Sequence, residues 1–73
     1  MARSFSGRRL RETRIAAGVS IERLALDLGR SAYSLYGYEN GKVSPPVNVL
    51  AHAASLLGCK VDDLLDEEAL RVA

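Results

Sequence analysis

The stretch Ser20-Ile21-Glu22-Arg23-Leu24-Ala25-Leu26-Asp27-Leu28-Gly29-Arg30-Ser31-Ala32-Tyr33-Ser34-Leu35-Tyr36-Gly37-Tyr38-Glu39-Asn40-Gly41-Lys42 decides the reading of this chain. Serine stands at both points where a helix N-cap belongs: Ser20 before a helix over 21–28, and Ser31 before a helix over 32–40. A capping hydroxyl takes up one of the free N–H groups of the first helical turn. Gly29 supplies the turn between the helices, and Gly41 stops the second. Leu24, Ala25 and Leu28 make a narrow inward stripe on the first helix, and the small Ala25 lets the second approach. Two short helices joined by a glycine turn form a helix-turn-helix, a pattern whose second helix can enter the DNA major groove. All three tyrosines of the chain lie on that second helix.

The flanking residues extend the pattern. A helix is expected from Gly7 to Ala17, capped by Ser6, with Leu10 and Ala17 on one inward face and Arg14 between them. Gly18 suits the left-handed position after it, and Val19 turns back to the core. Downstream, residues 42–46 read as a loop, with Pro46 at the first position of a fourth helix that runs to Leu57. Val47, Leu50, Ala51, Ala54 and Leu57 give that helix an apolar face. Gly58 ends it, and Cys59 and Val61 follow as apolar plugs. A short fifth helix is expected over 62–65, its acids at the positive end of the helix dipole. No strand pattern is visible. The expected fold class is therefore all-α, a compact five-helix domain. Its expected organisation is a basic N-terminal arm over 1–6, the domain over 7–66, and a tail or helix extension over 67–73.

Composition bounds the function. Seventy-three residues suffice for one small domain. With 48% hydrophobic residues but only three tyrosines and one phenylalanine, the core must be aliphatic. The single cysteine, Cys59, rules out an internal disulfide. No apolar run approaches the ~18–20 residues that span a bilayer, and Met1-Ala2-Arg3-Ser4-Phe5 leads into charge without a signal-peptide core, so a cytoplasmic protein without a membrane partner is expected. The net charge of +1 conceals an asymmetry. Residues 1–42 hold eight basic residues against four acids, and residues 43–73 hold two against five. Such a chain can attract phosphate with one end.

Other chemistry is thin. His52 lies off the apolar stripe of the fourth helix, and Cys59 reads as a small hydrophobe without a histidine to activate it. Ser4, Ser6 and Ser55 have no partners for nucleophilic work. Asp62, Asp63, Asp66, Glu67 and Glu68 lack the spacing of a calcium loop and read as a solvated cap. No catalytic residue, metal, cofactor or small-molecule ligand is expected, and the chain does not read as an enzyme.

The ordered set Leu10-Arg11, Arg14, Gly18, Ser20, Leu24-Ala25, Gly29, Ser31, Leu35, Glu39-Asn40-Gly41-Lys42, Pro45, Leu50, Ala54, Leu57-Gly58, Val61-Asp62 and Leu64-Leu65 resembles the Cro and phage-repressor family of DNA-binding domains, the xenobiotic-response-element type. The resemblance covers about residues 7 to 66. It implies a lambda-repressor-like five-helix domain, binding of double-stranded DNA at an operator as a homodimer, and a bacterial or phage source.

At 100° per residue, Leu35, Tyr38 and Glu39 face the core, while Tyr33 and Gly37 face out. Ala32 and Tyr36 flank one edge of the outer face and Ser34 the other. The resemblance puts base contacts at Ala32, Tyr33, Ser34 and Gly37, with Tyr36 at the margin. These positions lack the amide and guanidinium groups that read bases bidentately, so shape and methyl contacts are expected to matter more. DNA backbone contacts are expected from the helix N-termini at Ser20 and Ser31 and from Arg30, Asn40 and Lys42, with an arm of Arg3, Arg8 and Arg9 either along the backbone or in a minor groove. Two positions depart from the family: Ile21 stands where glutamine is usual, and Val43 where a basic residue is common. The family's matching pair implies a structural ion pair between Arg14 and Glu39, and the inward phase of both residues agrees. Dimer contacts are expected from Leu65, Leu70 and Val72. The alternative is a protein-interaction module on the same fold, antitoxin-like or an adaptor, with the outward tyrosines, Ile21 and Gly37 as its surface.

Overall fold

Three serines open three helices. The computed structural model describes residues 3–67. Ser6 Oγ accepts from the Arg9 backbone N–H at 3.2 Å, Ser20 Oγ from Arg23 at 3.1 Å and Ser31 Oγ from Ser34 at 3.1 Å. They begin α1 (Gly7–Ala16), α2 (Ile21–Leu28) and α3 (Ala32–Glu39). Between α2 and α3, Gly29 sits at φ +68°, a conformation a side chain would strain. There the Arg30 N–H reaches back to the carbonyl of Ala25 at 2.9 Å, closing the end of α2.

The later elements are α4 (Val47–Leu57), a 3-10 turn over Val61–Leu64, and two short strands, β1 (Arg3–Phe5) and β2 (Leu65–Glu67). The strands pair antiparallel, with Arg3 opposite Glu67 and Phe5 opposite Leu65. Leu10, Leu24, Leu35 and Leu64 are the fully buried large side chains, one each from α1, α2, α3 and the 3-10 turn. Ile21, Ala25, Tyr38, Val49, Ala53 and Ala54 complete the core. Burying one such large side chain contributes about 1.5–3 kcal/mol. The core is aliphatic as composition demands, with Tyr38 as its one buried aromatic.

The start of α1 lies directly on the last turn of α3. A Cβ at Gly7 would stand 2.6 Å from the Glu39 carbonyl oxygen and closer still to that of Tyr38. Gly7 is buried and admits no substituent.

Several expectations change. The fifth helix is a single 3-10 turn followed by a strand, so the described residues form four α-helices with a two-stranded ladder. Residues 3–5 of the expected free arm form β1, because β2 offers them a partner that sequence order hides. Asn40 caps α3 instead of continuing it, and Pro46 caps α4 instead of opening it. Ala17 caps α1 and is exposed, so only Leu10 and Arg14 share the inward face.

On α4 the buried residues are Val49, Ala53 and Ala54, with Leu50 and Leu57 packed beside them. Val47 is 82% exposed, and Ala51 is exposed. The expected stripe and the observed one share Leu50, Ala54 and Leu57. Periodicity cannot choose between two apolar faces this close in phase; packing against α2 and the 3-10 turn does. Ile21, assigned to the surface by the resemblance, is 5% exposed and belongs to the core. It lies three and four residues before Leu24 and Ala25, so helix phase carries it inward.

Candidate nucleic-acid interface

Leu35 and Tyr38 anchor α3 to the core, which fixes what its opposite side presents. Tyr33 is 87% exposed and Tyr36 49%. Ala32, Ser34 and Gly37 are half-buried between these and the core side. Ser34 is less free than expected: its hydroxyl lies 3.1 Å from that of Ser31, so the two hydroxyls orient each other at the helix start.

The loop after α3 folds back over its outer face. The Lys42 and Val43 N–H groups both reach the Gly37 carbonyl, at 3.0 and 3.4 Å. Val43 thereby stands over Gly37, where a Cβ would meet Val43 Cγ2 at 3.1 Å. A cleft of about 300 Å³ opens there, walled by Tyr33, Tyr36 and Val43 over Gly37, with Asn40 and Lys42 at its rim. Val43 as a wall was not legible in the sequence, since no period links a loop residue to a helix face. Gly7 could have been noticed: a glycine just after an N-cap, where alanine is the better helix former, signals a close approach.

The electrostatics differ from the linear charge pattern. Arg3 pairs with Asp62 at 3.6 Å, and Arg9 Nε bonds the Asp66 carboxylate. Arg8 pairs with Glu12 at 3.2 Å, and Arg23 with Asp27 at 3.2 Å. The basic start and the acidic end of the chain therefore meet, and much of the polarity read along the sequence cancels across the strand pair. Asp62 and Asp66 hold these cations, and the Asp63 carboxylate accepts from the Lys60 backbone N–H at 3.0 Å; they are more than a solvated cap. The Arg9 guanidinium pKa is raised above its ordinary value, first by its hydrogen bond to Asp66 and then by that carboxylate's charge. Arg30, just before α3, and Lys42, just after it, are exposed and stand in none of these ion pairs. Arg11 and Lys60 are likewise exposed and outside these pairs, but Arg30 and Lys42 are the two that bracket α3, while Arg8 and Arg9 already hold acids. Ser20 and Ser31 are exposed with their hydroxyl oxygens committed to capping, and Asn40 is exposed at the end of α3.

Behind this face, Arg14 and Glu39 form the expected ion pair. Arg14 Nε lies 2.7 Å from Glu39 Oε2 and Nη2 lies 3.1 Å from Oε1, a bidentate match. The third donor, Nη1, bonds the Val19 carbonyl at 2.9 Å. The side chains are 13% and 4% exposed. The Glu39 hydrogen bond holds the Arg14 pKa above its ordinary value despite partial burial. The pair ties α1 to the end of α3 and fixes the angle at which the outer face is presented.

Of the remaining expected residues, Leu65 lies half-buried on β2, while Leu70 and Val72 lie outside the described residues. His52 is exposed on α4. Cys59 packs against the core as expected, and burial, with help from Asp63, pushes its thiol pKa up. No helix among the described residues is long and apolar enough to cross a membrane.

A capped α2, a glycine turn and a capped α3 with a solvent-facing outer surface define a helix-turn-helix domain. The helix-turn-helix domain family matches residues 7–67, and the chain belongs to it. A protein of Aeropyrum pernix provisionally named an HTH-type transcriptional regulatory protein is 36% identical over 63 residues. That alignment takes in 86% of this chain but 19% of the relative, so the chain spans about a fifth of that protein's length. Among solved structures, the restriction-modification controller protein C.AhdI from Aeromonas hydrophila superposes with a TM-score of 0.74 at 33% identity, covering 80% of this chain and 88% of that one. The clp gene regulator ClgR from Corynebacterium glutamicum gives 0.76 at 31% identity, over 80% of this chain and 62% of that one. The functional class that the family and these relatives define is DNA-binding transcription regulation.

Proposed function

We propose that this domain binds a two-fold operator in the cytoplasm as a homodimer, with α3 in the major groove. The observation that carries this reading is the outer face of α3, which bears Tyr33, Tyr36 and Gly37 between the exposed cations Arg30 and Lys42. In it, Ala32, Tyr33, Ser34, Tyr36 and Gly37 meet base edges, where contacts specify sequence. Arg30, Lys42, Asn40 and the N-terminal ends of α2 and α3 at Ser20 and Ser31 hold the phosphates. Arg8 and Arg9 serve only if Glu12 and Asp66 release them, so their share is minor. The dimer would use the β2 end of the molecule, around Leu65. Its half-sites would lie about one helical turn apart, ~34 Å.

Selection of bound sites from random DNA tests the reading, followed by binding to the recovered site. Tyr33→Ala should change which sequences are preferred. Lys42→Ala should weaken all of them alike and flatten the salt dependence by about one phosphate's worth. The rival interaction module is weakened by the burial of Ile21, which removes one member of its proposed surface. A binding constant insensitive to salt, with no sequence recovered from random DNA, would favour that rival.

A further inference from the structure

The middle of α3 carries no side chain at Gly37, and a cleft of about 300 Å³ lies beside it. Gly37, the exposed Tyr33, Tyr36 and Val43, and Ser34 and Tyr38 line it. The wall residue Val43 is held in place by the backbone hydrogen bonds to the Gly37 carbonyl. Lys42 and Asn40 stand on the rim.

We propose that this cleft is a thymine site, taking the C5-methyl of a thymine in the major groove, with room for the methyl of the adjacent thymine in the same strand. The proposal rests on α3 being the recognition helix. Thymine's methyl is the one apolar group that base edges present in that groove. A guanine or adenine edge would place its N7 acceptor against ring faces and valine methyls, and a cytosine would leave the space empty. The tyrosine hydroxyls and Ser34 can bond a thymine O4 at the mouth. The rim charge complements the phosphate strand that carries the base, a feature a purely apolar peptide would not require. The cleft, about 300 Å³, admits more than one methyl.

The experiment replaces thymidine by deoxyuridine, one position at a time, in the operator recovered from random DNA. Only the methyl is lost. One position, or two neighbouring positions, in each half-site should lose about 4-fold in affinity per methyl, the value of one buried CH₂ group. Gly37→Ala, which fills the floor, and Val43→Ser, which makes an exposed wall polar, should each bring the thymidine-to-deoxyuridine ratio at those positions close to unity. Melting curves confirm that both variants fold, and Val43→Ser leaves the core untouched. A bound operator with no deoxyuridine-sensitive position overturns the thymine site and leaves the operator reading standing. So does full methyl discrimination retained in both variants. Failure to recover any operator overturns the operator reading itself, and the thymine site with it.

Discussion

Arg14 makes three hydrogen bonds from one guanidinium, and two of them depend on Glu39. Glu39→Gln keeps the shape but removes the charge that compensates Arg14. Breaking a buried pair in this way costs about 3–5 kcal/mol. The lower end applies, because the Val19 carbonyl remains and Arg14 keeps 13% of its surface in water. For a domain of this size that is a fall in melting temperature of at least about 10 °C. An unchanged melting temperature would remove the pair from any structural role. Gly7→Ala drives a methyl into two backbone carbonyls that cannot rotate aside, and overpacking of that kind costs about 1–3 kcal/mol even though alanine is the better helix former. Cys59 adds a pH dependence. Its folded pKa is raised by burial, so the stability it contributes is complete below the ordinary thiol value and is lost as pH rises through the raised one. Wild type should therefore lose melting temperature above about pH 9 more steeply than Cys59→Ala does. Parallel alkaline limbs would contradict it.

At the scale of elements, what was legible depended on how local the cause is. Caps at Ser6, Ser20 and Ser31, the stop at Gly29 and the inward phase of Leu35, Tyr38 and Glu39 are decided within a few residues, and all were readable from spacing. The phase of α4 is decided by its neighbours, and there spacing pointed to Val47 and Ala51 where packing selected Val49 and Ala53. Ile21 shows a different failure: its phase placed it inside, and the family comparison pulled the reading outside. The cleft beside Gly37 needs a loop to fold back on a helix, which no local pattern reports. A paired substitution measures the α4 result. Val49→Ala should cost about 1–3 kcal/mol, while Val47→Ala should stay within about 0.5 kcal/mol of wild type. Equal costs would mean that α4 is turned toward the expected face.

For the molecule as a whole, the strand pair and its ion pairs replace the picture of a polarised chain. Arg3 and Arg9 spend their charge on Asp62 and Asp66, next to the ladder that joins the first described residues to the last. Truncation of residues 1–5 should lower the melting temperature and leave the DNA sequences selected unchanged. A changed preference on truncation would show that this segment contacts DNA, as expected of an arm bearing Arg3. The same ladder has a consequence for how such a unit can be used. Arg3 stands opposite Glu67, so the first and last described residues lie side by side. A module cut at residues 3 and 67 has a single point of attachment: it can be grafted into a surface loop of another protein without prising that loop apart, and those two positions can be stitched into a ring by a short linker.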